Sequence, residues 1–137
     1  MEKLIKVSAL LVFCTTVFLP ACTPEYETIN GCEIIPKTRC SNVDLSNADL
    51  SEVDLSNATL YQSDLTGANL SAATLNYTDL QEANLSGANM QDTRLYGSDL
   101  REANLEGTDL SGAKYNKFTQ FPEAFDPNAA GMELIEG

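Results

Sequence analysis

The 137-residue chain has no histidine and no tryptophan, and only 8 lysines and arginines stand against 20 aspartates and glutamates. Without histidine there is no imidazole to act as a general base near neutral pH or to complete a common zinc site. No nucleophile elbow and no phosphate-binding glycine loop occurs in the chain. EF-hand loops and glycine-rich calcium nonapeptides are missing as well. A formal net charge of −12 argues against nucleic-acid binding through a basic surface. The apolar run from Leu10 to Leu19 is too short, and too quickly interrupted, for a membrane-spanning helix.

What fills the chain instead is a repeat. From Val43 onward the same pattern returns every five residues: VDLSN, ADLSE, VDLSN, ATLYQ, SDLTG, ANLSA and so on to AKYNK. The third position of each unit is Leu45, Leu50, Leu55, Leu60, Leu65, Leu70, Leu75, Leu80, Leu85, Met90, Leu95, Leu100, Leu105 and Leu110, with Tyr115 closing the series. The first position is small, as in Val43, Ala48, Ser63, Ala68, Thr78 and Ala83. A period of five fits neither the 3.6 of a helix nor the two of a half-buried strand. Ser, Thr, Asn, Asp and Gly between the leucines favour turns over helix. A large apolar residue that never misses its place is hard to reconcile with disorder, and a short regular repeat points to a solenoid. Residues two apart on a short extended segment share a side, so the first and third positions face inward and the other three face water. At the fifth position Asn47, Asn57, Gly67, Gly87, Gly97 and Gly107 accept positive φ and predict tight corners, with Tyr77 the interruption. The intervening Glu52, Gln62, Ala72, Glu82, Asp92 and Glu102 predict a turn of a different backbone conformation.

This stretch closely resembles the pentapeptide-repeat proteins, whose motif is A-(D/N)-L-x-x; ADLSE, ANLSA, ANLSG and ANLEG match it in full. The resemblance implies an all-β fold, a right-handed quadrilateral β-helix of about four coils with four units per coil. On that model the third positions form four stacks. They begin at Leu45, Leu50, Leu55 and Cys40, and rungs lie about 4.8 Å apart. Asp44 then lies above Asp64, and Asp79 above Asp99, while Asn69, Asn84, Asn89 and Asn104 hydrogen-bond along the stack.

Residues 1–21 read as a signal peptide: Lys3 and Lys6 precede the apolar run, which ends in Leu19-Pro20-Ala21-Cys22. That ending resembles the lipobox of bacterial lipoproteins, with Pro20 a departure from its usual filling. The resemblance implies cleavage before Cys22 and its lipidation, which anchors the chain to a membrane. The rival reading is an ordinary secretory signal. Thr23 after the cysteine, rather than Asp, favours the outer membrane facing the periplasm if the host has two. Residues 22–31 read as a tether, residues 32–127 as the β-helix with its caps (repeats about 38–117), and residues 128–137 as a loose tail, with docking of its Met132, Leu134 and Ile135 as the alternative. In an exported chain Cys32 and Cys40 are readily oxidised, and a bridge would pin the N-terminal strand across the first coil; two free thiols are the alternative. Tyr115, Phe118, Phe121 and Phe125 are expected to cover the last coil, as the F-P-x-x-F-D-P tail of similar proteins implies. The other reading of this tail is an exposed aromatic patch for a partner.

The expected role is a non-enzymatic, membrane-anchored structural or protein-binding module of the cell envelope, with no cofactor, no metal, no catalytic residue and an unidentified protein partner. Carboxylates on a convex rod lie in water, whereas acid–base catalysis needs a cleft that shifts their pKa. Tyr61, Tyr77 and Tyr96 face outward and are the first expected contact points. A first alternative is the DNA mimicry of some pentapeptide-repeat proteins, which bind a topoisomerase; those act in the cytosol. A second is an envelope enzyme or metal-binding protein.

Overall fold

The computed structural model describes residues 28–136, so Cys22, the signal segment and most of the tether lie outside the described residues. Within them the backbone pairs with itself at a fixed offset. Parallel bridges join Asp44 to Asp64, Asp64 to Asn84 and Asn84 to Asn104, and three further columns repeat the same twenty-residue step. Four five-residue units therefore make one round, and every round lies in register on the next.

The hydrogen bonds explain why the register is twenty. The third-position N–H donates to a second-position carbonyl in the next round, as Leu45 to Asp64 (2.8 Å), and the fifth-position N–H donates to a fourth-position carbonyl there, as Asn47 to Thr66 (2.9 Å). The second-position N–H points the other way, as Asp64 to Val43 (2.9 Å). The first-position N–H closes the corner on the preceding leucine, as Ala48 to Leu45 (3.1 Å).

Every corner has the same left-handed residue at its fifth position. Asn47, Gly67 and Gly87 have φ of 57°, 64° and 65°, but Glu52, Gln62, Ala72, Glu82, Asp92 and Glu102 lie between 55° and 62° as well. The expectation of a second corner conformation is therefore wrong. A single left-handed residue at the third place of a four-residue turn is the sign pattern of a type II turn. A non-glycine residue there costs roughly 1–2 kcal/mol. The bonds that these residues make to the next round, such as Glu52 N–H to Ser71 (2.9 Å), hold them in place.

The interior is filled by the first and third positions. Leu45, Leu50, Leu55, Leu60, Leu65, Leu70, Leu75, Leu80, Leu85, Met90, Leu95 and Leu100 are fully buried. Leu110 is buried and Leu105, on the last round, only partly so. Where the first position carries a hydroxyl, the group is buried, or half-buried at Thr108, and satisfied. Ser63, Thr78 and Thr108 each donate at 2.8 Å to a third-position carbonyl of the previous round, from Cys40, Leu55 and Leu85. Ser98 and Thr93 instead reach back to the leucine-position carbonyl of their own corner.

The upper cap starts earlier than residue 32. Strand β1 (Thr28–Ile29) and strand β2 (Cys32–Glu33) form an antiparallel hairpin. Its turn is Asn30-Gly31, both residues with positive φ (49° and 82°), the arrangement whose twist suits a two-residue hairpin. Residues 28–31 thus belong to the cap, not to a tether. Ile29, Cys32 and Ile34 are buried on the first round. Cys40 occupies the third position of its unit and is bridged to Cys32, with the Cα atoms 5.5 Å apart.

The lower cap departs from expectation at one residue. Asp99 pairs with Gln120, an offset of one more than the usual twenty. The extra residue sits in the loop after Tyr115, and it leaves Phe118 60% exposed, with the Lys117 ammonium 5.1 Å from its ring centre. Phe118 therefore does not cover the coil. Phe121, one residue beyond Gln120, becomes the last rung of the Cys40–Leu100 stack. It packs edge-to-face on Tyr115 (5.4 Å) and stacks on Phe125 (5.2 Å). The segment from residue 128 is not loose. Strand β3 (Lys114–Tyr115) pairs in parallel with strand β4 (Glu133–Leu134), and Met132 is buried beneath the column of Ala113. Leu134 and Ile135 remain exposed.

A cavity in a core this regular has little room to collapse. Leu75→Ala is expected to cost about 2–5 kcal/mol. Leu105→Ala, at the partly buried end of its stack, is expected to cost clearly less. Urea unfolding of the two variants checks the order, and equal losses would show that depth in the stack does not set the cost.

Candidate interaction surface

The outward side chains begin from one gap in the backbone pattern. The fourth-position N–H has no backbone acceptor, and the second-position side chain supplies one. Asp44 Oδ1 accepts from the Ser46 N–H (3.0 Å), Asp64 from Thr66 (3.0 Å), Asn84 from Ser86 (3.2 Å) and Asn104 from Glu106 (3.0 Å). Asp and Asn recur because a short side chain with a carbonyl-type oxygen spans two residues. Fourth-position hydroxyls add to this, as Ser46 Oγ and Ser111 Oγ on Asp44 and Asp109 (2.7 Å each).

The columns also make contacts between rounds. Asn104 Nδ2 donates to Asn84 Oδ1 (3.2 Å) and Asn69 Nδ2 to Asp49 Oδ1 (3.0 Å). Asp44 over Asp64 and Asp79 over Asp99 are stacked like charges. Tyr61 Oη and Gln62 Nε2 both donate to the Glu82 carboxylate (2.7 Å each). The Arg101 guanidinium grips Asp99, the one ion pair among the described residues.

These bonds move pKa values in a consistent direction. Asp99 is held below the ordinary carboxylate range chiefly by the Arg101 side chain. Ser46 does the same for Asp44, Gln62 and Tyr61 for Glu82, and Ser111 with Gln91 for Asp109. The Tyr61 hydroxyl is raised above its usual value by Glu82. All are small structural effects on open surfaces. Among the described residues no group of three or more His, Cys, Asp or Glu is arranged to hold a metal ion. No helix of the described residues is long and apolar enough to cross a membrane. Hollows lie at the two ends. One of about 220 Å³ lies beside the disulfide, between Asn30 and Val43, and one of about 320 Å³ lies at Lys117, Leu134 and Ile135.

Of the three tyrosines expected as contact points, Tyr77 is 62% exposed, and Tyr61 and Tyr96 are half-buried. Tyr77 and Tyr96 fall at the same corner in successive rounds, joined by the bond from Tyr77 N–H to the Tyr96 carbonyl (2.9 Å). Tyr61 stands apart, at the next corner. The sequence reading missed that Arg94, Lys114 and Lys117 share the side of Tyr77 and Tyr96; the twenty-residue step between residues 74, 94 and 114 was the available signal.

A chain that turns every five residues and pairs every twenty, around a leucine interior, is a short-repeat β-solenoid in class. The family model for pentapeptide repeats matches residues 38–76 and 78–114 in eight copies, and the chain belongs to that family. The crystal structure of alr5209, a pentapeptide repeat protein from Nostoc PCC 7120, is 37% identical with a TM-score of 0.71, over 72% of this chain and 82% of that one. Rfr23, from the cyanobacterium Cyanothece 51142, is 35% identical with a TM-score of 0.38, over 63% and 62% of the two chains. QnrB1, a plasmid-mediated fluoroquinolone resistance protein, is 19% identical with a TM-score of 0.35, over 67% and 58%. No curated protein matches the chain.

A carboxyl whose pKa is lower in the folded than in the unfolded state stabilises the fold above the unfolded value, near 4. That contribution is lost as pH falls through the folded value. The melting temperature is therefore expected to fall on acidification below about pH 4, and Asp99→Asn is expected to flatten the fall, because Asn cannot titrate but still accepts the Arg101 N–H. Calorimetry at stepped pH checks this; an unchanged profile in the variant would contradict it.

Proposed function

We propose that the protein is a lipoprotein of the bacterial cell envelope, held to a membrane through lipid on Cys22, whose right-handed quadrilateral β-helix of about four coils is a structural or protein-binding module. The observation that carries this reading is the Cys32–Cys40 disulfide, which fits an oxidising compartment and agrees with an export signal ending at Cys22. Among the described residues the interior is filled by leucine stacks, which supports recognition by an outer face of the rod. Pentapeptide-repeat proteins are in general structural or binding proteins, which supports the same reading. Thr23 favours the outer membrane of a two-membrane host, facing the periplasm. Acyl chains anchor in proportion to their length, about 0.8 kcal/mol per buried CH₂, and several chains hold far better than one.

Fatty-acid labelling and membrane fractionation in the native host test the anchor. Wild-type protein is expected to incorporate label and sediment with membranes, and Cys22→Ser to lose both. An unlabelled, uncleaved, cytosolic wild-type protein would overturn the anchor, and a topoisomerase-binding assay would then be the next test.

A further inference from the structure

Two sides of the rod depart from the Asp and Asn of the second position, and one of them, the side that begins at Asp54, does so on three successive rungs. Its second-position column runs Asp54, Thr74, Arg94, Lys114, with each residue paired directly to the next, and Glu133 of β4 pairs with Lys114 at the lower end. Arg94 and Lys114 are thus stacked cations one rung apart, about 4.8 Å, in a chain dominated by acids. Among the described residues neither makes an ion pair; the one there is Arg101 with Asp99. Both also forgo the side-chain acceptor that Asp or Asn would give the fourth-position N–H. The Tyr96 N–H is covered instead by Asn76 Oδ1 (3.1 Å), reaching over from the round above, and the Asn116 N–H by Thr119 Oγ1 (3.2 Å). A position that departs from a local rule and gains nothing from its neighbours points to a role outside the fold.

The aromatic residues gather beside these cations. Tyr77 is 62% exposed, and its ring lies so close over Gly97 that a Cβ there would meet it at 2.6 Å. Tyr96 follows Arg94 by two residues, and Phe118 is held out under Lys117. Flat, rigid aromatic surface next to desolvatable cations is the composition of a recognition patch.

We propose that the side bearing Arg94, Lys114, Lys117, Tyr77, Tyr96 and Phe118 docks an acidic segment of a partner protein. Carboxylates of that segment pair with the stacked cations, and its apolar atoms lie on the rings. The size of the patch selects the class of partner. The paired cations span one rung, and the Asp and Glu columns of the other sides would repel an anion long or broad enough to reach them, as a nucleic acid or an anionic bilayer would be. A short peptide segment can engage Arg94 and Lys114 and the rings beside them while crossing few of the acids, with Glu133 below Lys114 setting its lower limit. The inference rests on the reading of the protein as a binding module and specifies its partner; it does not depend on the lipid.

The test uses the full chain in nonionic detergent, ¹⁵N-labelled, titrated with a ten-residue polyglutamate peptide. Amide shifts are expected at residues 94–96 and 114–118 and around Tyr77, with binding that weakens as salt rises. The double variant Arg94→Asn/Lys114→Asn is expected to bind at least about tenfold more weakly. It is also expected to melt no lower than wild type, because neither cation makes an ion pair within the described residues and Asn is the residue that most often fills the second position beside Asp, so a folding defect cannot mimic the loss. Shifts absent from this side, shifts spread over all sides, or an unchanged affinity in the stable double variant would each overturn the proposal. So would micelles doped with phosphatidylglycerol shifting these residues when the peptide does not, since the occupant would then be a lipid surface. A Cys22→Ser protein that binds the peptide like wild type supports the surface even if the anchor fails.

Discussion

Five backbone N–H groups per unit must find acceptors, and the backbone itself serves only four of them. The fifth, at the fourth position, depends on the oxygen of an Asp or Asn two residues earlier. This dependence fixes much of the chemistry of the surface. A column that needs a short acceptor on each rung fills with Asp and Asn, and in this chain it fills heavily with Asp. The large negative charge of the rod then follows from how its corners are made, and it needs no acidic ligand or mimicked duplex to explain it.

The same need for closure explains what the corners tolerate. Glutamate, glutamine and alanine adopt the same left-handed conformation as glycine in this fold, despite its cost, because each corner is held by bonds to the rounds on either side. Local strain is spread evenly and offset evenly by the ladder and the leucine stacks. Ends are where such a design is exposed, and both are closed by different means: a disulfide-tied hairpin above, and Tyr115, Phe121, Phe125 and Met132 below.

The interior was legible in the sequence, since a strict five-residue beat of leucine with a small residue two places earlier leaves few alternatives. The stacking of Asp44 on Asp64 followed from the same periodicity, whereas the Cys32–Cys40 bridge was one of two readings of paired cysteines in a chain that reads as exported. Three features were not legible. Glu52 and Ala72 do not look like positive-φ residues, because what holds them there is a bond to a residue nineteen places away. Phe118 looked like a cap residue until a one-residue lengthening of its loop, visible only in the pairing of Asp99 with Gln120, turned it outward. Asn30-Gly31 carried a hairpin signal that was absorbed into a supposed tether. For the candidate surface, Tyr77 and Tyr96 could be picked out one at a time, but Arg94, Lys114 and Lys117 join them only when the chain is wound at twenty residues per round.

Residue-resolved amide hydrogen exchange tests most directly whether the second-position side chain completes the backbone. Third- and fifth-position amides such as Leu65 and Gly67, bonded to the next round at 2.8 and 2.9 Å, should be strongly protected. Fourth-position amides should divide by their second position: Thr66 and Ser86, served by Asp64 and Asn84, should exchange more slowly than Tyr61 and Asn76, whose units carry Thr59 and Thr74. Equal exchange in the two groups, with the ladder still protected, would contradict the dependence on Asp and Asn.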